Sequence, residues 1–96
     1  MRAMSVADIR SVVTPVAKNY DVRRISLFGS YASGKRNRKS DIDFLVDFGG
    51  IVSIYKMAGL KLALQNATGK EVDIVPVPIP DNSFLKIDKE VVVYEE

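Results

Sequence analysis

Residues Gly29 to Phe44 read GSYASGKRNRKSDIDF, and the rest of the chain is understood outward from this stretch. A Gly-Ser pair closes the apolar run ISLF, a loop gathers Lys35, Arg36, Arg38 and Lys39, and two aspartates follow one residue apart. Asp41 and Asp43 open the most regular alternating segment in the chain, SDIDFLVDF. Period-two alternation puts Ile42, Phe44, Val46 and Phe48 on one face of a strand and Asp41, Asp43, Leu45 and Asp47 on the other. Residues i and i+2 of a strand lie about 6.6 Å apart along it. That separation suits carboxylates that share or bridge divalent ions, which sit about 3.5–4 Å apart in paired sites. A strand face that is merely solvated would also carry acids. Aspartate disfavours strands, however, and two of them inside a strong one weigh against that plainer reading. Asp47 keeps the phase but lies about 13 Å along the strand from Asp43, too far to share an ion, and reads as a solvated strand end.

Upstream, SVADIRSVVTPVAKNY predicts a helix, with Ser5 as N-cap, Asp8 at capping-box spacing, and Val6, Ile9, Val13, Val16 and Tyr20 as the buried stripe. Pro15 inside this pattern predicts a kink or a restart. Ile25 to Phe28 form a strand that Gly29 stops. Downstream of Gly49-Gly50, SIYKMAGLKLALQNATG predicts a second helix with a broad apolar surface, capped at Gly69. KEVDIVPV is a further strand, with Val72 and Ile74 on one face and Glu71, Asp73 and Val75 on the other. Pro76, Pro78 and Pro80 forbid a central strand beyond it. Asp81 to Lys89 suit a short helical turn, and EVVVYE a last edge strand.

This order predicts an α+β, two-layer fold in a single domain spanning 1–96. Two helices cover one face of a small mixed sheet, and the open face carries Asp41, Asp43 and Asp73. Asp73 is preferred to Glu71 because it sits mid-strand between Val72 and Ile74. Ninety-six residues leave room for one small domain of modest stability. The net charge is only +2, which argues against direct nucleic-acid binding as a global property. The chain has no Cys and no His, so any metal must take oxygen ligands, as Mg²⁺ or Mn²⁺ does. No apolar run approaches the roughly 20 residues of a membrane span, and MRAMSVADIR lacks the core of a signal peptide, so a cytoplasmic protein is expected.

Gly29 lets a phosphate approach the backbone closely, and the following SYASG suits a short helix whose free N–H groups would face it. Ser30 adds a hydroxyl donor. The run KRNRK is either a solvated loop or a contact for an anion such as a triphosphate.

Gly29-Ser30, ten further residues, then Asp41-Ile42-Asp43 resembles the signature of the DNA polymerase β-like nucleotidyltransferase superfamily. VDIV, with Asp73, resembles its third carboxylate strand. The chain's size and GSYASG…SDIDFLVDF are similar to the minimal nucleotidyltransferases, MntA-like antitoxins that accompany HEPN-domain proteins. The resemblance implies Mg²⁺ held by Asp41 and Asp43, with Asp73 completing the site beside an acceptor hydroxyl. It implies that Gly29 and Ser30 hold the β- and γ-phosphates of a nucleoside triphosphate. Relatives often carry Ala-Arg-Gly where this chain has Ala32-Ser33-Gly34. Ser33 has no guanidinium to offer a phosphate, and Lys35 or Arg36 is the available substitute.

The resemblance further implies transfer of AMP from ATP to a tyrosine of a HEPN-type toxin, which silences it. The chain has no residues left for an acceptor-binding domain, in keeping with an acceptor that brings its own surface. Two other readings stand beside this one. The chain acts as a stoichiometric binding antitoxin with little catalysis, or it transfers nucleotides to RNA or a small-molecule alcohol.

Overall fold

The computed structural model describes residues 5–29, 41–77 and 90–96. Helix α1 spans Val6–Tyr20. It begins where Ser5 Oγ accepts from Asp8 N at 3.0 Å while Asp8 Oδ2 accepts from Ser5 N at 3.1 Å. This reciprocal pair satisfies two of the helix's orphan donors. Pro15 neither ends nor restarts the helix, which runs through it to Tyr20. Its missing N–H leaves the Ser11 carbonyl without a helical donor, but both residues are exposed and water can take that oxygen. Ile9, Val13 and Ala17 form the buried stripe.

Strands β1 (Arg24–Phe28), β2 (Ile42–Asp47), β3 (Val72–Pro76) and β4 (Val91–Glu95) make one sheet in the order β3-β2-β1-β4. β1 is antiparallel to both β2 and β4, and β2 is parallel to β3. A parallel pair needs a crossover, and helix α2 (Ile54–Thr68) supplies it. Ser53 caps α2 by accepting from Lys56 N at 3.1 Å. Gly69, at φ 70°, closes it by donating to Gln65 O at 2.8 Å. Pro76 is tolerated because β3 is an edge strand.

The core lies between the helices and one sheet face. Ile25 and Leu27 of β1, Ile42, Phe44 and Val46 of β2, Val72 of β3 and Val93 of β4 meet Ile9 and Val13 of α1 and Leu60 and Leu64 of α2. One expectation needs correction. The opposite sheet face is not open along its length: Ser26, Phe28 and Leu45 are buried there. Within α2, Leu60 and Leu64 are the buried residues. No helix among the described residues is long and apolar enough to cross a membrane. The expected turn at Asp81 to Lys89 and the short helix after Gly29 lie outside the described residues.

Candidate active site

The site forms where β1 ends and β2 begins. Antiparallel pairing sets Phe28 opposite Asp43, so Gly29 emerges beside the Asp43 carboxylate. Gly29 takes φ 70°, a left-handed conformation that an L side chain adopts only with strain. A Cβ placed there would also collide with Asp43 Oδ2. Glycine is therefore required twice, once by the turn and once by the neighbouring acid.

Parallel pairing then sets Asp43 level with Asp73. Partners on adjacent strands lie about 4.7–4.9 Å apart and share a face. Asp41, expected inside the strand, stands one residue before β2, where Ile42 N bonds Glu71 O at 3.0 Å. Asp43 is half-buried, whereas Asp41 and Asp73 are exposed. Burial pushes the Asp43 carboxyl above its ordinary range, and the charges of Asp73 and then Asp41 push it further. Asp73, in register with Asp43, and Asp41 are the acids whose charges reach it.

Among the described residues, no three acids are gathered closely enough to hold a metal ion together. The like-charge push on Asp43 nevertheless places Asp41 and Asp73 within electrostatic reach of it. Like charges spread apart, and a cation between them reverses that interaction. The donors are all hard oxygens, the type Mg²⁺ and Mn²⁺ take. The chemistry of this donor set therefore suits a hard divalent cation, although among the described residues the three carboxylates are not gathered into a metal-binding group.

Asp47 does not join them. It pairs with Arg24 at the far end of β2, and its Oδ1 accepts from Gly49 N at 2.8 Å, which turns the chain after the strand. Ser30 and Arg36, expected to hold phosphate, lie outside the described residues, as do Ser33 and Lys35. What the sequence reading missed is the wall beside the acids. Ser26, Phe28 and Leu45 share the Asp43 face through the pairs Ser26–Leu45 and Phe28–Asp43, and all three are buried. The signal was Leu45 itself, an apolar residue in phase with the acids.

Comparison with known proteins follows from this geometry. The family model for polymerase beta nucleotidyltransferases matches residues 12–95. A relative from Thermococcus cleftensis, named protein adenylyltransferase MntA, is 37% identical over 79 residues, covering 78% of this chain and 80% of its own. A crystal structure of a toxin-antitoxin with AMP-PNP superposes with a TM-score of 0.75 at 21% identity, covering 91% of this chain and 73% of the other. A tri-AMPylated Shewanella oneidensis HEPN toxin in complex with MNT antitoxin gives 0.69 at 18% identity, covering 97% and 74%. At those identities the two structures bear on the fold alone. The family match, spanning most of the chain, decides the assignment: this protein belongs to the polymerase β nucleotidyltransferases.

Proposed function

We propose that the 96 residues form one minimal transferase domain that moves AMP from ATP to a tyrosine hydroxyl of a HEPN-domain toxin and so silences it. The observation that carries this reading is the register of Asp43 level with Asp73, next to the Gly29 turn. It is supported by a relative named protein adenylyltransferase and by the likeness to an antitoxin in complex with an AMPylated HEPN toxin.

Asp41, Asp43 and Asp73 would hold Mg²⁺ or Mn²⁺, which supplies charge neutralisation at the attacking and leaving oxygens. Asp73, exposed at the sheet edge, takes the proton of the acceptor hydroxyl. The acceptor oxygen bonds the α-phosphorus as the bond to the bridging oxygen breaks, and pyrophosphate leaves. Gly29 keeps the backbone low beside Asp43, so the triphosphate can approach, and Ser30 and Arg36 contact its outer phosphates. The buried wall of Ser26, Phe28 and Leu45 holds the Asp43 strand in place. The protein works in the cytoplasm, where ATP is available.

The test is the intact mass of the HEPN-domain protein after incubation with this chain, Mg²⁺ and each of the four nucleoside triphosphates. ATP should add one or more AMP units, and a Tyr→Phe change at the acceptor should abolish the gain. An unmodified toxin that is nevertheless neutralised would replace this reading with stoichiometric masking.

A further inference from the structure

The sheet ends in two edge strands, and their outer sides differ. On β4, Arg10 Nη2 donates to Val92 O at 3.1 Å, and the register shifts against Ile25 and Ser26. A side chain across a carbonyl and an irregular ladder both discourage a further strand from adding there. β3 forms the other edge and carries Asp73.

The groups that β3 offers follow from two of the bonds on its inner side. Ile42 N donates to Glu71 O, and Val77 N donates to Val46 O, each at 3.0 Å. Main-chain groups alternate sides along a strand, so Asp73 and Val75 also turn theirs to β2, while Val72, Ile74 and Pro76 turn theirs outward. Val72 N donates to Gln65 Oε1 of α2 at 3.4 Å, and Pro76 has no N–H to give. Between these two stops, Val72 O, Ile74 N and Ile74 O meet no partner among the described residues. The open window therefore flanks Asp73.

An antiparallel strand that uses those three groups has its register fixed. Its residue opposite Asp73 falls at a non-hydrogen-bonded pair, where Cα atoms stand about 4.5 Å apart and the side chains share a face. The next positions on that face fall opposite Glu71, which is exposed, and Val75, which is half-buried. The added strand would run two strand spacings, about 9–10 Å, from β2 and Asp43. A tyrosine side chain reaches across that gap over Asp73, and a serine side chain does not.

We propose that this edge receives an extended segment of the acceptor protein, with its tyrosine opposite Asp73, a basic residue opposite Glu71 and an apolar one opposite Val75. The proposal rests on the function proposed above for the identity of that protein. Charge separates this occupant from a second copy of the chain, whose own β3 would bring Glu71 and Asp73 to an edge that already holds both.

The experiment follows amide exchange of the full chain, residue by residue, by NMR. The HEPN-domain protein is added to saturation with Mg²⁺ and an ATP analogue whose α- and β-phosphates are joined by a methylene group. Exchange at Ile74 should slow about tenfold or more as its N–H gains an acceptor. In steady-state transfer, Ile74→Pro deletes that donor without touching the bonds to β2. It should raise KM for the HEPN-domain protein about three- to tenfold and leave KM for ATP unchanged, while Ile74→Val, which keeps the N–H, matches wild type. Glu71→Gln should also raise the acceptor KM and flatten its salt dependence. An Ile74 amide that slows by less than about twofold overturns the proposal, even where AMP is transferred. Slowing that depends on the chain's own concentration, with no HEPN-domain protein present, overturns it in favour of a second copy. Protection of Ile74 by the HEPN-domain protein, with no AMP transferred from ATP, upholds the edge and sinks the transferase reading alone.

Discussion

The two faces of the sheet are built to opposite rules. The helix-covered face sets Ile25, Leu27, Ile42, Phe44, Val46 and Val72 in a continuous apolar layer, each at most 1% exposed. The other face interleaves the buried Ser26, Phe28 and Leu45 with Asp43 and Asp73, and leaves Asp43 pressed by burial and by two like charges. The first face stabilises the fold. The second holds groups that oppose folding, and the proposed transfer chemistry gives a reason to keep them. Stability and chemistry therefore come from residues one step apart on the same strand.

The largest effect should come from the stabilising face. Phe44→Ala leaves a cavity where the side chain is fully buried and should cost about 3–5 kcal/mol. For a domain with a total stability of about 5–15 kcal/mol, denaturant titration should find it close to unfolded. A loss comparable to a surface substitution would mean that the core is not centred there. Gly29→Ala should cost about 1–2 kcal/mol, because alanine must adopt the left-handed backbone. Its transfer rate should fall further than that loss explains, since the new methyl displaces the Asp43 carboxylate. Equal losses of folded fraction and activity would remove Gly29 from the site.

Ser26→Ala should act in the opposite direction. Among the described residues Ser26 Oγ is buried without a hydrogen-bond partner, and deleting it should raise stability by up to about 1 kcal/mol. Destabilisation would show that the hydroxyl is satisfied in solution.

The smallest effect carries a sign. The Asp43 carboxyl is raised in the folded state above its unfolded value of 3.8. Asp43 therefore favours folding most below that value, and the contribution is lost as pH rises through its folded pKa. In chelator, Asp43→Asn should match the wild type near pH 3 and become the more stable protein towards pH 7. A wild type that gains stability over Asp43→Asn across this range would reverse the assigned cause.

The legible parts of this molecule were the local ones. Ser5 and Asp8 could be paired by eye because a capping box closes within four residues, and β2 declared itself by alternation. Alternation puts Asp41, Asp43 and Asp73 on one face, but the placement of Asp43 level with Asp73 depends on a parallel register that no local pattern encodes. That α1 continues through Pro15 without a restart depends on the exposure of the orphaned carbonyl, which is tertiary and not written in the local pattern. The burial of Ser26, Phe28 and Leu45 is tertiary, and so is the division of α2 between a packed side and a bare one. In α2, apolar residues recur all round the helix, so periodicity could not tell Leu60 from Leu62.

The central claim is that Asp41, Asp43 and Asp73 form the reacting site and that Asp47, on the same strand and in the same phase, does not. Single-turnover transfer of AMP to the HEPN-domain protein tests it, with all four Asp→Asn variants compared at equal folded fraction. The rates of Asp41→Asn, Asp43→Asn and Asp73→Asn should fall on the order of 10²–10³-fold, while Asp47→Asn transfers at the wild-type rate. Wild-type transfer by Asp43→Asn, or a comparable collapse in Asp47→Asn, would contradict the account.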